Sequence, residues 1–482
     1  MNRDHTGSPA VPKYLQSQGL EDAPPGHRFG MYFPCWLPDN GWKRADSNKH
    51  KALQSIFDLK PDADALLNAV LKRQFGQSSA LGEKVLALPA KSTAPFVTGI
   101  GIEHPLENGF AFQNPYGLPY LPGSGVKGVL RAAAEDLALG IYGETRGWDV
   151  LAIWWLFGFE PMSVYLTGRS GKFDDKVLAE EAERRNKRFL SWIERREWDP
   201  VTLKSFSDAA MDDARDKDRQ QWLNTPEDFL RALAGVGDEA RRLDSTKIQF
   251  KGHLHFWDVF VKPKNGRLGM DILTPHHTDY YQNGKTPADC GQPVPNQFLV
   301  VPPGGEFVFY SQCVEGTLPR TLQDNWCALI EAAFEHAFDW LGFGAKTAVG
   351  YGQMVTDTRL AQEFTDKRGE YERSSKEQKR LSTMSSEERS IDELAGLLQE
   401  ERKAERKVAG GELSNRLSDL IREAEAEAEA EAEAGNWEVN YRSQLADLAQ
   451  EIYGYIGWGP SKKKKMKKAR INSLRQRDNC NT

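Results

Sequence analysis

Cysteine is scarce in this chain of 482 residues: there are five, and none belongs to a CxxC pair. An odd number without paired spacing argues against a zinc ribbon and against the disulfide framework of a secreted protein, and such thiols suit a reducing compartment. No run approaches 18 consecutive apolar residues, and the N-terminal sequence lacks the apolar centre of a signal peptide. We therefore expect a cytoplasmic protein with no membrane partner.

A strong charge of either sign is also lacking. The formal net charge is −6, from 63 Lys and Arg against 69 Asp and Glu. A nucleic-acid-binding protein needs one basic surface rather than a basic total, so this value neither supports nor excludes RNA. With 39% hydrophobic and 27% charged residues, the composition is that of a globular protein, and the length suits two or three domains.

The composition changes along the chain and predicts three parts. Residues 1–90 form an N-terminal arm with helices. Residues 91–360 form a body of short apolar runs punctuated by glycine and proline, with a charged helical insertion at about 175–243. Residues 361–482 form a charged extension, helical or disordered, in which glycine and aromatic residues are few.

Periodicity within the body predicts particular elements. A helix is expected over Val126–Leu139, with Ser124 as its cap. An amphipathic helix is expected over residues 324–341. A strand is expected within 247–262. Two further strands are expected in 297–313, one before and one after the PPGG sequence.

The extension contains two low-complexity segments. Glu423–Ala434 is a strict Glu-Ala repeat, which is either a solvated helix or a disordered spacer. Lys462–Arg477 carries nine Lys or Arg and no acid. This basic tail is either a non-specific RNA contact or a solvated end of the chain, and RNA contact is the preferred interpretation.

Motifs that suggest cofactors fail on their context. Gly123–Gly128 matches GxGxxG, but the two prolines before it fit a central parallel strand poorly, so no dinucleotide site is expected. Gly344–Thr347 lacks the adjacent Gly-Lys pair of a phosphate-binding P-loop. No metal is expected either, because adjacent His276 and His277 point to opposite sides of a strand. Metal-binding spacing is also missing from His253, His255, Asp271 and Asp279.

Catalytic sets are equally hard to assemble. No Ser-His-Asp arrangement follows from spacing. His104 with Glu103 or Glu107 has the chemistry of an acid–base pair for RNA cleavage. A polar loop beside a glycine turn is the preferred interpretation of these three residues, so we expect no catalytic residue.

A first glycine-rich segment lies just before the helix predicted at Val126. Gly123 and Gly125 allow the backbone to approach a ligand closely. A helix that starts near Ser124 directs its unpaired amides at this loop, which favours an anion such as phosphate. Lys127 and Arg131 are four residues apart and share one helix face. The segment is either a phosphate cradle or a tight strand–helix turn with two solvated basic residues.

A second glycine-rich segment follows the amphipathic helix. Gly342, Gly344, Gly350 and Gly352 stand within eleven residues, and such density indicates backbone packed against a neighbour that tolerates no side chain. Lys346 and Thr347 lie between them. Lys346 supplies charge, and Tyr351 either stacks on a base or fills the core.

Both segments resemble the RAMP superfamily of CRISPR proteins. Residues 342–352 resemble its C-terminal glycine-rich loop. Residues 117–131 (GLPYLPGSGVKGVLR) resemble its N-terminal loop and helix, with Gly125 where the family often has Ser.

Three further segments, at 99–109, 271–276 and 280–281, are similar in that order to the sixth Cmr subunit family of type III-B effector complexes. The resemblance covers about residues 90–357, and the last 120 residues match no family pattern.

The resemblance implies an α+β body with a ferredoxin-like (RRM-like) fold and an antiparallel sheet, in one unit or two. It implies a non-catalytic subunit that caps the filament of backbone subunits near the 3′ end of the guide RNA. Its partners would be guide RNA, target RNA and other Cmr subunits, in antiviral defence. The RNA-binding residues would be Gly123, Ser124, Gly125, Lys127, Arg131, Gly342, Gly344, Lys346, Thr347, Gly350 and Tyr351.

Two alternatives stay open at this point. One is an endoribonuclease of the same superfamily that processes guide RNA with His104 or a nearby histidine as general base. The other is a scaffold that touches only protein.

Overall fold

The fold is that of a computed structural model, in which the chain forms two compact units, Met1–Arg368 and Gly369–Thr482. The residues that the structure describes are 7–15, 19–38, 41–45, 49–167, 176–211, 225–236, 243, 248–274, 295–314, 316, 318–406, 410–426 and 437–475.

The first unit contains both strands and helices. The strands are β1 Trp36–Leu37, β2 Lys43–Arg44, β3 Val85–Ser92, β4 Phe112–Gln113, β5 Leu118–Leu121, β6 Leu254–Phe256, β7 Val259–Phe260, β8 Gly269–Leu273, β9 Asn296–Val300, β10 Glu306–Cys313 and β11 Met354–Thr356. The helices are α1 Pro25–Gly30, α2 Lys49–Gln54, α3 Pro61–Leu81, α4 Gly123–Ala138, α5 Val150–Phe157, α6 Val164–Thr167, α7 Lys176–Arg195, α8 Pro200–Ala210, α9 Pro226–Ala234, α10 Arg320–His336 and α11 Thr358–Thr383, the last of which crosses the boundary between the units. No helix among the described residues is long and apolar enough to cross a membrane.

A four-stranded antiparallel sheet organises the first unit. Its spatial order is β11-β3-β10-β6. Along the chain its parts run β3, α4, β6, β10, α10, β11, which is the β-α-β-β-α-β arrangement of the ferredoxin-like fold. In the part of the chain that the structure describes, this is the one sheet with that arrangement. The other sheets have two or three strands.

Aromatic side chains join this sheet to its helices. Phe307 and Phe309 of β10 are buried, and the ring of Phe309 lies 5.1 Å from that of Phe334 in α10. Leu130 of α4 is completely buried in the same core. Full burial of each such side chain stabilises the fold by roughly 1.5–3 kcal/mol, so these contacts hold both helices against the sheet.

The strand expected within 247–262 is two strands in different sheets. β6 pairs with β10, while β7 pairs with β5 through Tyr120 opposite Phe260. The break falls at Trp257 and Asp258, where the chain passes closely beside the start of α4. The two strands in 297–313 are confirmed, but they do not pair with each other: β9 pairs with β8, and β10 pairs with β3 and β6.

The described parts of the predicted insertion are helices with buried apolar faces. They pack against helix α5, which precedes the insertion, is apolar on every side and is wholly buried, as expected of a helix without a polar face. The ring of Phe206 in α8 lies 5.0 Å from that of Trp154 in α5. Phe189 of α7 and Phe229 of α9 are also completely buried. These helices therefore form a layer packed on the same core as the sheet.

The second unit is helical in its described part. After the end of α11 it contains α12 Ser386–Lys403, α13 Glu412–Ala426, α14 Val439–Ile456 and α15 Ser461–Arg475. Leucine and isoleucine side chains from these four helices form a separate core, among them Leu398, Leu417, Leu445, Ile452 and Ile471. The extension thus contains a packed bundle, while residues 427–434 of the Glu-Ala repeat lie outside the described residues.

Candidate nucleic-acid interface

Helix α4 begins at Gly123, earlier than the sequence predicts. Pro122 precedes the first helical residue, and no side chain caps this end. Ser124 already lies inside the helix and is exposed, so the prediction that it caps the helix is wrong. The ring of Pro122 fixes its φ near −58°, and this extended residue gives the chain its turn into the helix without a capping hydroxyl.

Gly123 is required by a contact within the protein. A Cβ atom at this position would stand 2.2 Å from the carbonyl oxygen of Phe256, so no larger residue fits. Its amide donates a hydrogen bond of 2.8 Å to Oδ1 of Asp258. One of the amides at the helix N-terminus therefore already donates to a carboxylate of the protein, in the position where a bound phosphate would accept. Gly125 is less constrained, since a Cβ there would meet only Cδ1 of Leu121 at 3.3 Å.

Lys127 stands in a cluster of cations. Burial lowers the pKa of its ammonium group, and the nearby charges of Arg131 and Lys251 lower it further, while Glu160 acts in the opposite direction. Among the described residues, neither Lys127 nor Lys251 forms an ion pair. Like charges that are partly removed from water repel one another, so this surface favours an anion.

Arg131 has a structural role that the sequence did not predict. Its Nε pairs with Glu135 at 3.1 Å, and its NH1 donates to the Gly158 carbonyl at 3.0 Å. Glu135 also accepts from Ser163 at 3.3 Å. The guanidinium group is therefore committed to the loop after α5, and Lys127 has more freedom to meet a ligand.

The second glycine-rich loop closes on its own backbone. Gly352 has a φ of +71°, and a Cβ there would overlap the carbonyl oxygen of Phe343. The amide of Phe343 donates to Gly352 at 2.9 Å, and the amide of Gly352 donates to Pro95 at 2.8 Å. At Gly344, with a φ of +93°, a Cβ would stand 2.3 Å from the Val97 carbonyl oxygen. The neighbours that tolerate no side chain are thus the loop's own backbone at Phe343 and the segment after β3 at Val97.

The remaining residues of this loop form its turn. Gly342 has a φ of +70°, and a Cβ there would lie 3.2 Å from Cγ2 of Thr347. Thr347 begins a short 3-10 turn and accepts a hydrogen bond from the amide of Gly350 at 2.9 Å. Gly350 has a φ of +92°, but a Cβ there would meet nothing within 4 Å. Its conformation, rather than crowding, requires glycine at this position.

Lys346 lies beside two aromatic rings. Its Nζ is 5.5 Å from the ring centre of Phe298 and 5.7 Å from that of Tyr351, a geometry that attracts a cation to the ring face. The Tyr351 hydroxyl donates to Oδ2 of Asp271 at 2.6 Å. Burial and this hydrogen bond raise the pKa of Tyr351 to about 12. The paired strands β8 and β9 therefore supply one wall of the loop.

The predicted site residues fall into two groups. Lys127 and Arg131 lie with Lys251 on the α4 side, whereas Lys346, Thr347 and Tyr351 belong to the second loop. In the described ranges, no hydrogen bond, ion pair or ring contact joins one group to the other. They are two separate stretches of candidate interface on one domain.

His104 is enclosed by protein groups. The amide of Leu106 donates to its Nδ1 at 3.1 Å, so Nε2 carries the proton and donates to the Phe29 carbonyl at 2.9 Å. The imidazole also stacks on the ring of Phe29, with centres 3.8 Å apart. Burial lowers the pKa of His104, against the smaller opposing effect of its bond to Phe29. Both ring nitrogens are thus hydrogen-bonded to backbone groups of the protein.

This environment makes part of the stability dependent on pH. The folded-state pKa lies below the ordinary value of about 6.5, so protonation favours the unfolded chain. The contribution is fully present above about pH 6.5 and is lost as the pH falls through the lowered pKa. We expect His104→Gln to reduce the loss of stability between about pH 7 and pH 5, as measured by chemical denaturation. Exposed His255→Gln is the control, and equal pH profiles for His104→Gln and wild type would contradict this prediction.

The metal-ligand candidates have other contacts or lie outside the described residues. Nδ1 of His253 is 2.9 Å from the Trp155 carbonyl oxygen, and Asp271 accepts from Tyr351. Within the residues that the structure describes, no group of three or more His, Cys, Asp or Glu is placed to hold a metal ion. His276, His277, Asp279, Tyr280 and Tyr281 lie outside those residues.

Sequence reasoning missed Lys251 as a member of the cationic cluster. The residue after it, Gly252, makes a close approach: a Cβ there would stand 2.2 Å from the backbone carbon of Phe157. A glycine within an expected strand marks such an approach, and this was the signal available in the sequence. Phe298 was also missed, because its strand pattern indicates only a core position.

The family model of the RAMP superfamily matches residues 90–355, more than half of the chain. The chain therefore belongs to the RAMP superfamily, and the α+β fold with antiparallel sheets predicted from the sequence is confirmed.

Within this superfamily the chain is similar to Cmr6. The CRISPR system Cmr subunit Cmr6 of Pyrococcus furiosus is 26% identical over 281 residues, which cover 55% of this chain and 66% of that relative, just under two thirds of its length. Among solved structures, Cmr6 from Pyrococcus furiosus matches with a TM-score of 0.23 and 20% identity, over 57% of this chain and 100% of that one. A chain of the type III-B Cmr-beta bound to cognate target RNA matches with a TM-score of 0.32 and 15% identity, over 65% and 76% of the two chains.

Proposed function

We propose that this protein is a non-catalytic RNA-binding subunit of a type III-B CRISPR (Cmr) effector complex. In this role it caps the filament of backbone subunits near the 3′ end of the guide RNA and helps to hold guide and target RNA. Its similarity to Cmr6 supports its assignment as a subunit of this complex. Its partners are guide RNA, target RNA and the other Cmr subunits, in the cytoplasm.

The observation that carries the RNA-binding role is the cluster of cations around Lys127 and Lys251, neither of which forms an ion pair with a described residue. These two ammonium groups and Arg131 converge, and Arg131 is already neutralised by Glu135. A polyanion that passes over this surface relieves the repulsion between the two lysines. Lysine contacts to phosphate do not read sequence, which suits a subunit that must accept guides of any sequence.

The second loop supplies a contact of a different kind. Lys346 beside Phe298 and Tyr351 combines a cation with aromatic rings, the combination that holds single-stranded nucleic acid by charge and stacking. The glycines of both loops act through the backbone conformations that they permit. Their packing inside the protein supports a role in shaping the loops that present Lys127 and Lys346.

The basic tail supports a further contact in the second unit. Lys462–Lys465 are exposed in α15 and form no ion pair with any described residue. Farther along the helix, Arg470 pairs with Glu425 and the Nζ of Lys467 lies 4.1 Å from the ring centre of Tyr453. One part of α15 is therefore anchored to the bundle, while its N-terminal lysines are available for phosphate.

The enclosure of His104 favours a non-catalytic role over RNA cleavage. A general base needs a ring nitrogen within reach of the substrate proton, whereas both nitrogens of His104 are bonded to backbone groups.

The test is binding of labelled single-stranded RNA of arbitrary sequence to the full chain over a salt series, with the RNA inspected for cleavage afterwards. We expect salt-sensitive binding, intact RNA, and co-purification with other Cmr subunits upon co-expression. Cleaved RNA would instead support the endoribonuclease. Co-purification without any RNA contact, in the complex or alone, would support a protein-only scaffold.

A further inference from the structure

We propose that the exposed rings of Tyr142 and Trp340 form a stacking surface for one unpaired base of a bound RNA strand, whichever base it is. Trp340 is 62% exposed and Tyr142 is 53% exposed. Their ring centres are 4.8 Å apart, and their planes are inclined by 28°. Large apolar groups that stand together in solvent mark binding surfaces. The proposal rests on the RNA-binding function proposed above and deepens it by adding a contact to the bases.

The backbone after α10 turns Trp340 outward. One turn of π-helix, Ala337–Leu341, follows α10, and the amide of Gly342 donates to the carbonyl of Ala337, five residues earlier, at 2.8 Å. In this wider turn Ala337 and Phe338 stay buried, while Trp340 faces solvent. Turns of this kind are rare and occur frequently at functional sites. The unusual backbone and the exposed ring thus coincide at one position.

Buried groups hold the ring of Tyr142 in place. Its centre lies 5.1 Å from that of His336, which is buried. Nε2 of His336 donates to Oδ2 of Asp136 at 3.2 Å, and Asp136 also accepts from Arg185 at 2.6 Å. Side chains that are fixed before a ligand arrives lose less conformational freedom when it binds. The ring pair is therefore supported from the core and is prepared for stacking.

The rings adjoin the second glycine-rich loop. Trp340 stands two residues before Gly342, and a Cβ at Gly342 would lie 3.2 Å from Cγ2 of Thr347. The residue before Thr347 is Lys346, whose ammonium group is proposed above to meet phosphate. An RNA strand with a phosphate at Lys346 therefore brings a neighbouring base towards Trp340. Sites for single-stranded nucleic acid combine a cation and a stacking ring in this way.

The surroundings of the rings favour a base over a protein partner. Arg146 pairs with Glu335 at 2.7 Å, and Asp339, next to Trp340 in the chain, is exposed. The centre of a protein interface is depleted in such charged residues. The carboxylate of Asp339 also repels phosphate, so the RNA backbone is expected on the side of Lys346. Stacking tolerates any base, in agreement with a subunit that accepts guides of any sequence.

The test compares a labelled single-stranded RNA of arbitrary sequence with an abasic oligonucleotide of the same length and charge. Fluorescence anisotropy measures the affinity of the full chain for each, in wild type, Trp340→Ala and Trp340→Phe. We expect Trp340→Ala to weaken RNA binding about tenfold, as for the loss of one base–ring stack, and to leave abasic binding unchanged. Trp340→Phe should retain most of the RNA affinity, because it keeps a ring.

Trp42→Ala is the matched control, since Trp42 is another exposed tryptophan, just before β2. It should leave both affinities unchanged, and circular dichroism checks the folding of every variant. An equal loss of RNA and abasic binding in Trp340→Ala, or an equal loss of RNA binding in Trp42→Ala and Trp340→Ala, would overturn the proposal.

Two further outcomes separate this proposal from its alternatives. Unchanged RNA affinity in Trp340→Ala, together with lost co-purification of other Cmr subunits, would overturn the stacking surface in favour of a protein contact. Wild-type protein that binds no RNA, alone or in the complex, would refute the proposed function and the stacking surface together. RNA binding that is indifferent to Trp340→Ala refutes the stacking surface alone, so the two failures are distinguishable.

Discussion

Replacement of both Lys127 and Lys251 by alanine is expected to weaken the binding of single-stranded RNA on the order of tenfold at about 0.1 M salt. Each lysine that neutralises a phosphate adds roughly 0.7 to the slope of log affinity against log salt for a single strand, so the double variant should lose about 1.4 from that slope. Fluorescence anisotropy with a labelled RNA over a salt series measures both quantities. The loss should be equal for RNAs of different sequence, because phosphate contacts do not read bases.

A charge-matched control separates this surface from the general charge of the protein. Lys187 and Lys204 are exposed lysines paired with Glu183 and Asp208. Their joint replacement by alanine removes the same charge but should leave the affinity and its salt slope almost unchanged. If both double variants behave alike, RNA does not cross the Lys127–Lys251 surface.

Gly352→Ala is expected to cause the largest loss of stability among single substitutions in the second loop. Its positive φ strains any L-residue by about 1–2 kcal/mol, and its Cβ would collide with the backbone carbonyl of Phe343. Relief of that collision requires movement of a loop that is held by backbone hydrogen bonds to Pro95 and Phe343, at a further cost of roughly 1–3 kcal/mol. Chemical denaturation should show a total loss of about 2–5 kcal/mol in the unfolding of the first unit.

Gly350→Ala is the matched control, because Gly350 has the same sign of φ but open space around it. It should cost only the strain of about 1–2 kcal/mol. Similar losses for the two variants would mean that conformation alone, and not the close approach at Phe343, explains the glycines of this loop.

The wild-type Lys127 and Arg131 illustrate how two residues with one sequence pattern acquire different roles. They are four positions apart and share a helix face, as the spacing predicts. However, Arg131 pairs with Glu135 and donates to the carbonyl of Gly158, while Lys127 is partly buried and forms no ion pair with a described residue. Spacing predicts that two side chains are neighbours, but their partners come from loops elsewhere in the chain.

Local patterns determined much of this protein. The spacing of apolar residues predicted α10, because helix formation depends on residues three and four positions apart. The composition of the extension left a helical and a disordered state open. The density of glycines at 342–352 correctly indicated a close approach of the backbone, since positive φ angles and contacts without space for a Cβ restrict the residue type directly. The family motifs added the ferredoxin-like order of strands.

Tertiary structure alone decided which distant residues meet. Lys251 lies near Lys127 although they are 124 positions apart in the sequence. Asp258 accepts a hydrogen bond from the helix amide of Gly123, one of the amides that the sequence analysis assigned to phosphate. Gln74 of α3 likewise donates to the backbone carbonyl of Asp258 at the break between β6 and β7. These contacts follow from strand register and helix packing, which depend on the whole core. The sequence around each residue therefore does not predict which distant residue it contacts.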